Sequence, residues 1–284
     1  MHAEKVLLEH LQQKKAQREP IAMLPAYDAL TAGAGDAGGV DVSLGGHSVG
    51  NVVPGFETTL PVTMDMMVLH CQAVRRGTRR ALVVGDMPFM SFQASVPEAK
   101  RNAARLLAEG GADAVKVEGG RGIAPTIAAL VETGIAVMGH VGLTPQSISA
   151  LGRHKVQGKT LEAARAMLAD ARAVEAAGAF ALVLETVPAR LAQLISTTLR
   201  IPTIGIGAGV DCDGQVLVTP DLLGLAPEFS PKHAKRYAEL GAWMRAAVES
   251  YRDEVRALAF PGENNSFSLP DEVWDALSAE LADA

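Results

Sequence analysis

The stretch VPEAKRNAARLLAEGGADAVKVEGG, residues 96–120, contains the unit from which the fold can be predicted. Its first part is rich in Ala, Leu, Glu and Arg, which favour a helix, and glycines at 110 and 111 end that pattern. Its second part, ADAVKVEGG at 112–120, is a short apolar run that again ends on glycine. The stretch therefore predicts a helix followed by a buried strand.

The same unit recurs along the chain. Short runs rich in Val, Ile, Leu and Ala are each followed by glycine or proline and then by a helical pattern, of which residues 160–179 are the clearest. The candidate strands are residues 21–28, 40–46, 81–88, 112–120, 135–143, 180–187, 202–209 and 214–221. Several are continuously apolar, as expected for parallel strands that are covered on both faces. Eight strands with intervening helices predict a (β/α)8 TIM barrel.

A doubly wound sheet is the alternative architecture. Its dinucleotide-binding form needs a G-x-G-x-x-G turn after the first strand, and no such turn follows residues 21–28. The run GIGAG at 205–209 comes seventh in the series and lacks the third glycine. The barrel is therefore the favoured prediction.

The 284 residues are 48% hydrophobic, which suits a single barrel of about 250 residues. We expect one domain over 1–284, with an N-terminal helix at about 3–17 and a C-terminal helical extension at about 230–284. In that extension, Ser230 is the predicted N-cap and Pro231 the first residue of one long helix over 230–258. Helices beyond an eighth strand often pack on a neighbouring subunit, so we expect a homo-oligomer.

Composition narrows the class of protein. The net charge is −6, and RRGTRR at 75–80 is the only dense basic cluster, which argues against nucleic-acid binding. Cys71 and Cys212 form no CxxC pattern, so a reducing compartment is expected. No stretch approaches the ~20 apolar residues of a membrane span. We expect a soluble, cytoplasmic protein with small-molecule partners.

Ionisable residues stand where the predicted strands end. In a barrel of this type the chemistry lies at the carboxyl ends of the strands. Burying several charges there without partners would be costly, and a metal ion or an anionic substrate would satisfy them together. Carboxylate oxygens suit Mg²⁺, and a lysine can hold a carboxylate. The residues are His47, Asp86, Lys116, Glu118, His140 and Glu185.

Several longer motifs resemble the ketopantoate hydroxymethyltransferase family. The most distinctive are LPVTMDMMVLHCQAVRRG at 60–77, DMPFMSFQAS at 86–95, MGHVGLTPQS at 138–147 and FPGENNSF at 260–267. The resemblance runs from about residue 21 to 267. It implies a barrel of the phosphoenolpyruvate mutase/isocitrate lyase superfamily, a divalent metal that is usually Mg²⁺, and a decamer. It also implies transfer of a hydroxymethyl group from 5,10-methylenetetrahydrofolate to 3-methyl-2-oxobutanoate, giving 2-dehydropantoate.

The resemblance assigns roles by position. Asp86 matches a metal ligand beside the substrate, and Glu118 matches a carboxylate associated with that metal. Lys116 matches a lysine that contacts the substrate carboxylate, and Ser48 matches a serine that contacts the substrate. Glu185 matches the catalytic base. The sixth match, His140, falls on a histidine of the substrate pocket.

One departure from the family pattern falls on a metal ligand. The family reads Gly-Asp-Ser-Leu-Gly-Met after the second strand, and its aspartate is a metal ligand, whereas this chain has GHSVGN at 46–51. His47 therefore stands in place of a carboxylate. Mg²⁺ prefers oxygen ligands, while Zn²⁺, Co²⁺, Ni²⁺ or Fe²⁺ accept a histidine beside two carboxylates. The set His47, Asp86 and Glu118 is compatible with such a metal.

Three functions follow from this departure. The first is an active hydroxymethyltransferase with a softer or weaker metal site. The second is a paralogue that catalyses a metal-dependent aldol or C–C lyase reaction on another 2-oxo acid. The third is a catalytically impaired binding or assembly protein. The presence of Glu185 and Lys116 argues against the third, because barrel packing needs neither.

Overall fold

The computed structural model describes residues 4–147, 155–225 and 231–282. These residues form two compact units. One unit runs to Leu222 and includes the segment that ends at Lys235. The other contains the residues from Leu223 to 225 and those from Arg236 onward.

The first unit is a closed barrel of eight parallel strands in sequential order, as the sequence predicts. The first strand pairs with both the second and the eighth, which closes the sheet on itself. All eight predicted strands are present, each shorter than predicted at one or both ends. They are β1 (Ile21–Ala26), β2 (Val42–Gly45), β3 (Leu82–Asp86), β4 (Ala114–Glu118), β5 (Val137–Gly142), β6 (Ala181–Glu185), β7 (Thr203–Ile206) and β8 (Gly214–Val216).

Helices precede and connect these strands. Among the described residues, the barrel unit contains α1 (Leu8–Gln17), α2 (Ala29–Ala37), α3 (Val49–Val52), α4 (Met64–Gly77), α5 (Val96–Ala108), α6 (Ala124–Glu132), α7 (Leu161–Ala176), α8 (Ala189–Thr198) and all but the last residue of α9 (Thr219–Leu223). The predicted N-terminal helix is present as α1, and the clearest predicted helix is present as α7.

The 96–120 stretch shows why these elements form. The Ser95 hydroxyl accepts the Glu98 N–H at 3.3 Å and caps α5. The helix ends where glycine is required: a Cβ on Gly110 would lie 2.6 Å from the Leu106 carbonyl oxygen, and Gly111 has φ +73°. The chain can then turn directly into β4.

Alternation along the strands divides the core into two layers. Inward-facing residues such as Leu82, Val84 and Met138 fill the barrel interior, and Leu11 of α1 belongs to the same cluster. Outward-facing residues of the strands pack instead against the helices, as Val115 does in the cluster that contains Leu106. Continuous apolar strands therefore bury both faces, as the sequence indicates.

The second unit contains helices α10 (Leu240–Arg256) and α11 (Asp271–Ala282). The prediction of one long helix from residue 230 is wrong in its start, because α10 begins at Leu240. Pro231–Lys235 belongs to the barrel unit, where His233 packs 3.2 Å from the Cβ position of Gly207. This contact overrides the local helical pattern. Ser230, the predicted N-cap, lies outside the described residues.

Within residues 4–147, 155–225 and 231–282, none of the helices combines the length and the apolar character that crossing a membrane requires.

Substitution of Leu106 tests the packing of the core layer between the outward-facing strand residues and the helices. Leu106 is fully buried on α5, so Leu106→Ala should lower the free energy of unfolding by about 2–5 kcal/mol through lost burial and a residual cavity. Leu161→Ala, at a position 68% exposed, is the matched control, and its effect should stay within about 0.5 kcal/mol. Urea titrations of both variants measure the difference, and equal losses would contradict the described packing.

Candidate active site

The six ionisable residues predicted at strand ends lie together at the carboxyl end of the barrel. Inward-facing positions of β3, β4 and β6 begin apolar and become ionisable at the strand end. The run Leu82, Val84, Asp86 is one example, and Ala181, Val183, Glu185 is another. Lys116 and Glu118 differ by two residues and so face the same side, as the sequence predicts. The strand period therefore builds this cluster.

Lys116 and Asp86 form the centre of the cluster. Lys116 Nζ lies 2.7 Å from Asp86 Oδ1 and 3.8 Å from Glu118 Oε1. All three side chains are nearly inaccessible to water, with exposed fractions of 4%, 1% and 2%. Burial opposes the charge of each group, and the opposite charges of the neighbours compensate for it.

The pKa values of these groups follow from that balance. Burial alone would raise the pKa of Asp86, but the charges of His47 and Lys116 outweigh it and hold the pKa well below its ordinary range. Burial likewise opposes a low pKa at Glu118, yet His47, His140 and Lys116 lower it to about 2. The carboxylates in turn raise the pKa of Lys116 against its own burial. Both carboxyl groups are therefore ionised near neutral pH and Lys116 is protonated.

His140 links the centre to Glu185. Its Nδ1 lies 3.4 Å from Glu118 Oε1, and its Nε2 lies 3.2 Å from Glu185 Oε2. Burial and the charge of Lys116 would lower the pKa of His140, but the two carboxylates raise it to about 9. Glu185 has a side chain that is 18% exposed, so it is the most accessible of the three carboxylates.

His47 lies between the two buried carboxylates. Its backbone N–H donates to Asp86 Oδ2 at 3.2 Å, and its ring Nδ1 makes a short contact with the same oxygen. The other ring nitrogen, Nε2, lies 3.2 Å from Glu118 Oε1. The ring is buried, with 7% of the side chain exposed. Both ring nitrogens therefore face a carboxylate.

Ser48 has a partner that the sequence analysis missed. The Tyr27 hydroxyl lies 2.9 Å from Ser48 Oγ, and Tyr27 is buried just after β1. Burial raises the pKa of Tyr27 to about 12, so the phenol is neutral. The signal for Tyr27 was its place directly after an apolar strand, the same signal that identified the charged residues.

Gln146 is a second residue that the sequence analysis missed. Its backbone N–H donates to Glu118 Oε2 at 3.0 Å. Its side-chain Nε2 donates to the Met87 carbonyl at 2.8 Å, and Gln93 Nε2 donates to its Oε1 at 3.1 Å. Gln146 thus connects the loops after β3 and β5 and fixes Glu118 from outside the cluster.

The fold and the clustered charges define the class of this chain. Solved structures with a similar fold include a 2,3-dimethylmalate lyase described as a PEP mutase/isocitrate lyase superfamily member, with a TM-score of 0.56 and 14% identity over 98% of this chain and 99% of that one. A phosphoenolpyruvate phosphomutase from Streptomyces platensis subsp. rosaceus matches with a TM-score of 0.59 and 13% identity, over 97% of this chain and 96% of the other. This likeness shows the fold, a (β/α)8 barrel, as predicted.

Sequence comparison narrows the class to one family. The model of the ketopantoate hydroxymethyltransferase family matches residues 5–263, and the chain belongs to this family. It is 55% identical to the 3-methyl-2-oxobutanoate hydroxymethyltransferase of Oleidesulfovibrio alaskensis over 89% of this chain and 87% of the relative. It is 51% identical to that of Carboxydothermus hydrogenoformans over 96% of this chain and 99% of the relative. The prediction of a hydroxymethyltransferase enzyme is confirmed.

Gln146 tests the positioning of Glu118. Gln146→Ala removes the side chain that anchors the loop to Met87 and Gln93, so the backbone N–H that binds Glu118 should lose its fixed position. We expect kcat to fall about 10–100-fold, the usual effect of losing support around an active-site group. Gln193→Ala, at an exposed position of α8, is the matched control and should leave kcat unchanged. Steady-state kinetics and urea unfolding should be measured together. Loss of stability with an unchanged kcat would show that Gln146 supports only the fold.

Proposed function

We propose that this chain transfers a hydroxymethyl group from 5,10-methylenetetrahydrofolate to 3-methyl-2-oxobutanoate, with Glu185 as the base. The main observation in support of the proposal is the position of Glu185. Its carboxylate is 18% exposed at the edge of an otherwise sealed charge cluster, where a substrate can reach it. The names of the family and of its relatives support the reaction.

Glu185 accepts the proton from C3 of the 2-oxo acid. The electron pair of that C–H bond moves to C2, and the keto oxygen becomes an enolate oxygen. His140 Nε2 lies 3.2 Å from Glu185 Oε2, and the pKa of His140, raised to about 9, leaves its imidazolium charge beside this carboxylate near neutral pH. Water hydrolyses the two C–N bonds of the methylene bridge, which releases tetrahydrofolate and leaves the one-carbon unit as formaldehyde. C3 then attacks the carbonyl carbon of this unit, and the resulting alkoxide takes the proton from Glu185 to give 2-dehydropantoate.

The remaining residues hold the acid. Lys116 is the cation for the substrate carboxylate, and Ser48 contacts the substrate with its hydroxyl oriented by Tyr27. Asp86 keeps Lys116 charged and in place at 2.7 Å. Positive charge close to the developing enolate is the kind of fixed electrostatic support that contributes most to such reactions.

The donor atoms of the site indicate whether its residues fit the metal ion that the family implies. Asp86 Oδ1 and Glu118 Oε1 are buried without an aligned hydrogen-bond donor, so both oxygens favour a cation nearby. His47 as placed does not fit as a ligand, because both of its ring nitrogens face carboxylates. Over residues 4–147, 155–225 and 231–282, no three His, Cys, Asp or Glu side chains have the arrangement of a metal site. Mg²⁺ or a softer divalent ion on His47, Asp86 and Glu118 stays a prediction.

A cleft beside Glu185 supports a place for the folate. It has a volume of about 300 Å³ and opens next to β5, whose Gly142 pairs with Glu185 of β6. Its wall includes four glycines, whose Cβ positions lie against neighbouring atoms of the protein. They are Gly119, Gly120, Gly142 and Gly158.

Asp170 is the acidic side chain in the wall of this cleft. Its Oδ1 accepts the Arg121 backbone N–H at 3.0 Å and Arg121 Nε at 2.8 Å. A carboxylate has about four acceptor sites, so Asp170 retains capacity for the ring N–H and amino group of a pterin. We therefore assign the cleft to the pterin of the folate.

A homo-oligomer, with the decamer as its predicted form, and a cytoplasmic location also belong to the proposal. Large apolar side chains on α10 and α11 support self-association, since Trp243 is 68% exposed and Trp274 is 63% exposed. Subunit number stays a prediction from the family resemblance.

Glu185→Gln tests the base. The amide preserves size but accepts no proton, so kcat should fall about 10²–10⁴-fold. Product formation from 3-methyl-2-oxobutanoate and methylenetetrahydrofolate measures transfer, and loss of the C3 hydrogen in D2O without folate measures enolisation alone. Both should fall together.

Glu132→Gln, at an exposed position of α6, is the matched control and should change neither rate. Full C3 exchange in Glu185→Gln would refute the base assignment. If the native protein exchanges the C3 hydrogen but forms no 2-dehydropantoate, the reaction on another 2-oxo acid becomes the better reading.

Asp170→Asn tests the folate cleft. Loss of a charged acceptor costs about 1.5–3 kcal/mol, so the KM for methylenetetrahydrofolate should rise about 10–100-fold while the KM for the 2-oxo acid stays constant. Asp65→Asn removes a comparable surface carboxylate, which pairs with Arg105 at 2.7 Å, and should leave both KM values unchanged. An unchanged folate KM in Asp170→Asn would place the folate elsewhere.

A further inference from the structure

The backbone directly after Glu185 has an unusual conformation. The strand β6 ends at Glu185, and the next residue, Thr186, has φ +53°, in the left-handed region. This region is disfavoured for residues with a Cβ, and a β-branched residue such as threonine is rare in it. Three other non-glycine residues described by the structure have a positive φ, and none of them is β-branched. They are Arg18, Met90 and Leu258.

Helix ends account for two of these residues but not for Thr186. Arg18 caps the end of α1, and Leu258 follows the cap of α10, where a left-handed residue commonly ends a helix. Thr186 follows a strand instead. A disfavoured backbone conformation persists only where the surrounding structure fixes it, and such residues concentrate at active sites.

Three backbone hydrogen bonds fix the chain around Thr186. Its N–H donates to the Ile206 carbonyl of β7 at 2.8 Å, and its carbonyl accepts the Gln157 N–H at 3.0 Å. The carbonyl of Glu185 accepts the Leu143 N–H, just after β5, at 2.8 Å. The peptide groups on both sides of Thr186 are therefore tied to neighbouring segments, which hold the residue in its disfavoured conformation.

The end of β5 leaves room for this arrangement. Gly142 pairs with Glu185 in the register of β5 and β6, and a Cβ on Gly142 would lie 2.2 Å from the Glu185 carbonyl oxygen. Gly142 itself has φ +102°, which glycine adopts without strain. The backbone of Glu185 thus has a close neighbour on β5 and a fixed residue after it.

The choice of threonine over glycine at position 186 restricts the backbone. Glycine would adopt the left-handed conformation without strain, but it would also leave other conformations open to the chain. A residue with a Cβ has fewer conformations available. Thr186 therefore gives the peptide group after Glu185 less freedom than glycine would.

We propose that Thr186 is a positioning residue for the base, because its left-handed backbone fixes the direction in which the Glu185 side chain leaves β6. That direction places Glu185 Oε2 3.2 Å from His140 Nε2 and leaves the carboxylate partly exposed at the edge of the charge cluster. The role rests on the proposed function, since it requires Glu185 to be the base. The fixed backbone rests on the φ angle and the hydrogen bonds alone.

Thr186→Gly tests the positioning. The urea midpoint should stay close to the native one, because relief of the disfavoured conformation offsets the extra freedom of the unfolded chain. The freed backbone should lower kcat and the rate of C3 exchange in D2O about 10–100-fold, the effect of a slightly misplaced catalytic group. The KM for 3-methyl-2-oxobutanoate should stay within about twofold of native, since the residues that hold the acid are untouched. Native rates in Thr186→Gly would overturn the proposal.

Two further variants are the controls. Asparagine adopts the left-handed region more readily than most residues, so Thr186→Asn should keep kcat within about threefold of native although it lacks the threonine hydroxyl. Thr133→Gly changes the same residue type at the exposed end of α6 and should leave kcat unchanged. An equal loss of kcat in Thr186→Asn and Thr186→Gly would overturn the proposal, because it would assign the effect to the threonine side chain.

Crystal structures separate this proposal from the proposed function. The Glu185 carboxylate should occupy one position in the native protein and in Thr186→Asn, and more than one position in Thr186→Gly. A single, unchanged position in all three would overturn the positioning but leave Glu185 as the base. If the native protein neither exchanges the C3 hydrogen nor forms 2-dehydropantoate, the proposed function fails, and the carboxylate positions still decide whether Thr186 directs Glu185.

Discussion

The ion pair between Lys116 and Asp86 is the constraint on which the active end of this barrel depends. The two atoms lie 2.7 Å apart where 4% and 1% of the side chains are exposed. Withdrawing an ion from water costs several kcal/mol, and breaking such a pair leaves a buried charge without compensation. The charges of the groups around this pair must therefore compensate one another, which explains why the residues around it are themselves charged. It also explains why His47 matters more than an ordinary loop histidine.

Rigid strands hold these charged groups in positions where their charges compensate one another. Asp86, Lys116 and Glu118 belong to neighbouring strands whose register is fixed, with Asp86 opposite Lys116. The loops complete the arrangement, since Gln146 fixes Glu118 from one side and the backbone of His47 fixes Asp86 from the other. An active site supported in this way keeps its charges in place before substrate arrives, so little reorganisation is needed during the reaction. Glu185, at the exposed edge, is left to meet the substrate.

The fold and most of the charge cluster were predictable because the spacing of apolar residues and the local composition of the chain encode them. Apolar runs followed by glycine or proline predicted all eight strands, and ionisable residues at strand ends predicted the members of the cluster. Tyr27 and Gln146 were not predicted as site residues, because neutral polar residues after a strand are common and carry no charge that requires a partner. The start of α10 escaped because the contact of His233 with Gly207 joins residues distant in sequence. Local pattern carries no information about such a contact.

By itself, the sequence determined the barrel, the family and the identity of the charged residues, because strand period and motif order are local properties of the chain. It also showed that a histidine stands at position 47, in place of a carboxylate, and the role of that histidine as a metal ligand stayed a prediction. Only the tertiary structure decided where that ring lies. Residues 47, 86 and 118 belong to three different strand ends, and their side chains meet only when the barrel closes. The placement of both ring nitrogens against carboxylates is a property of that closure.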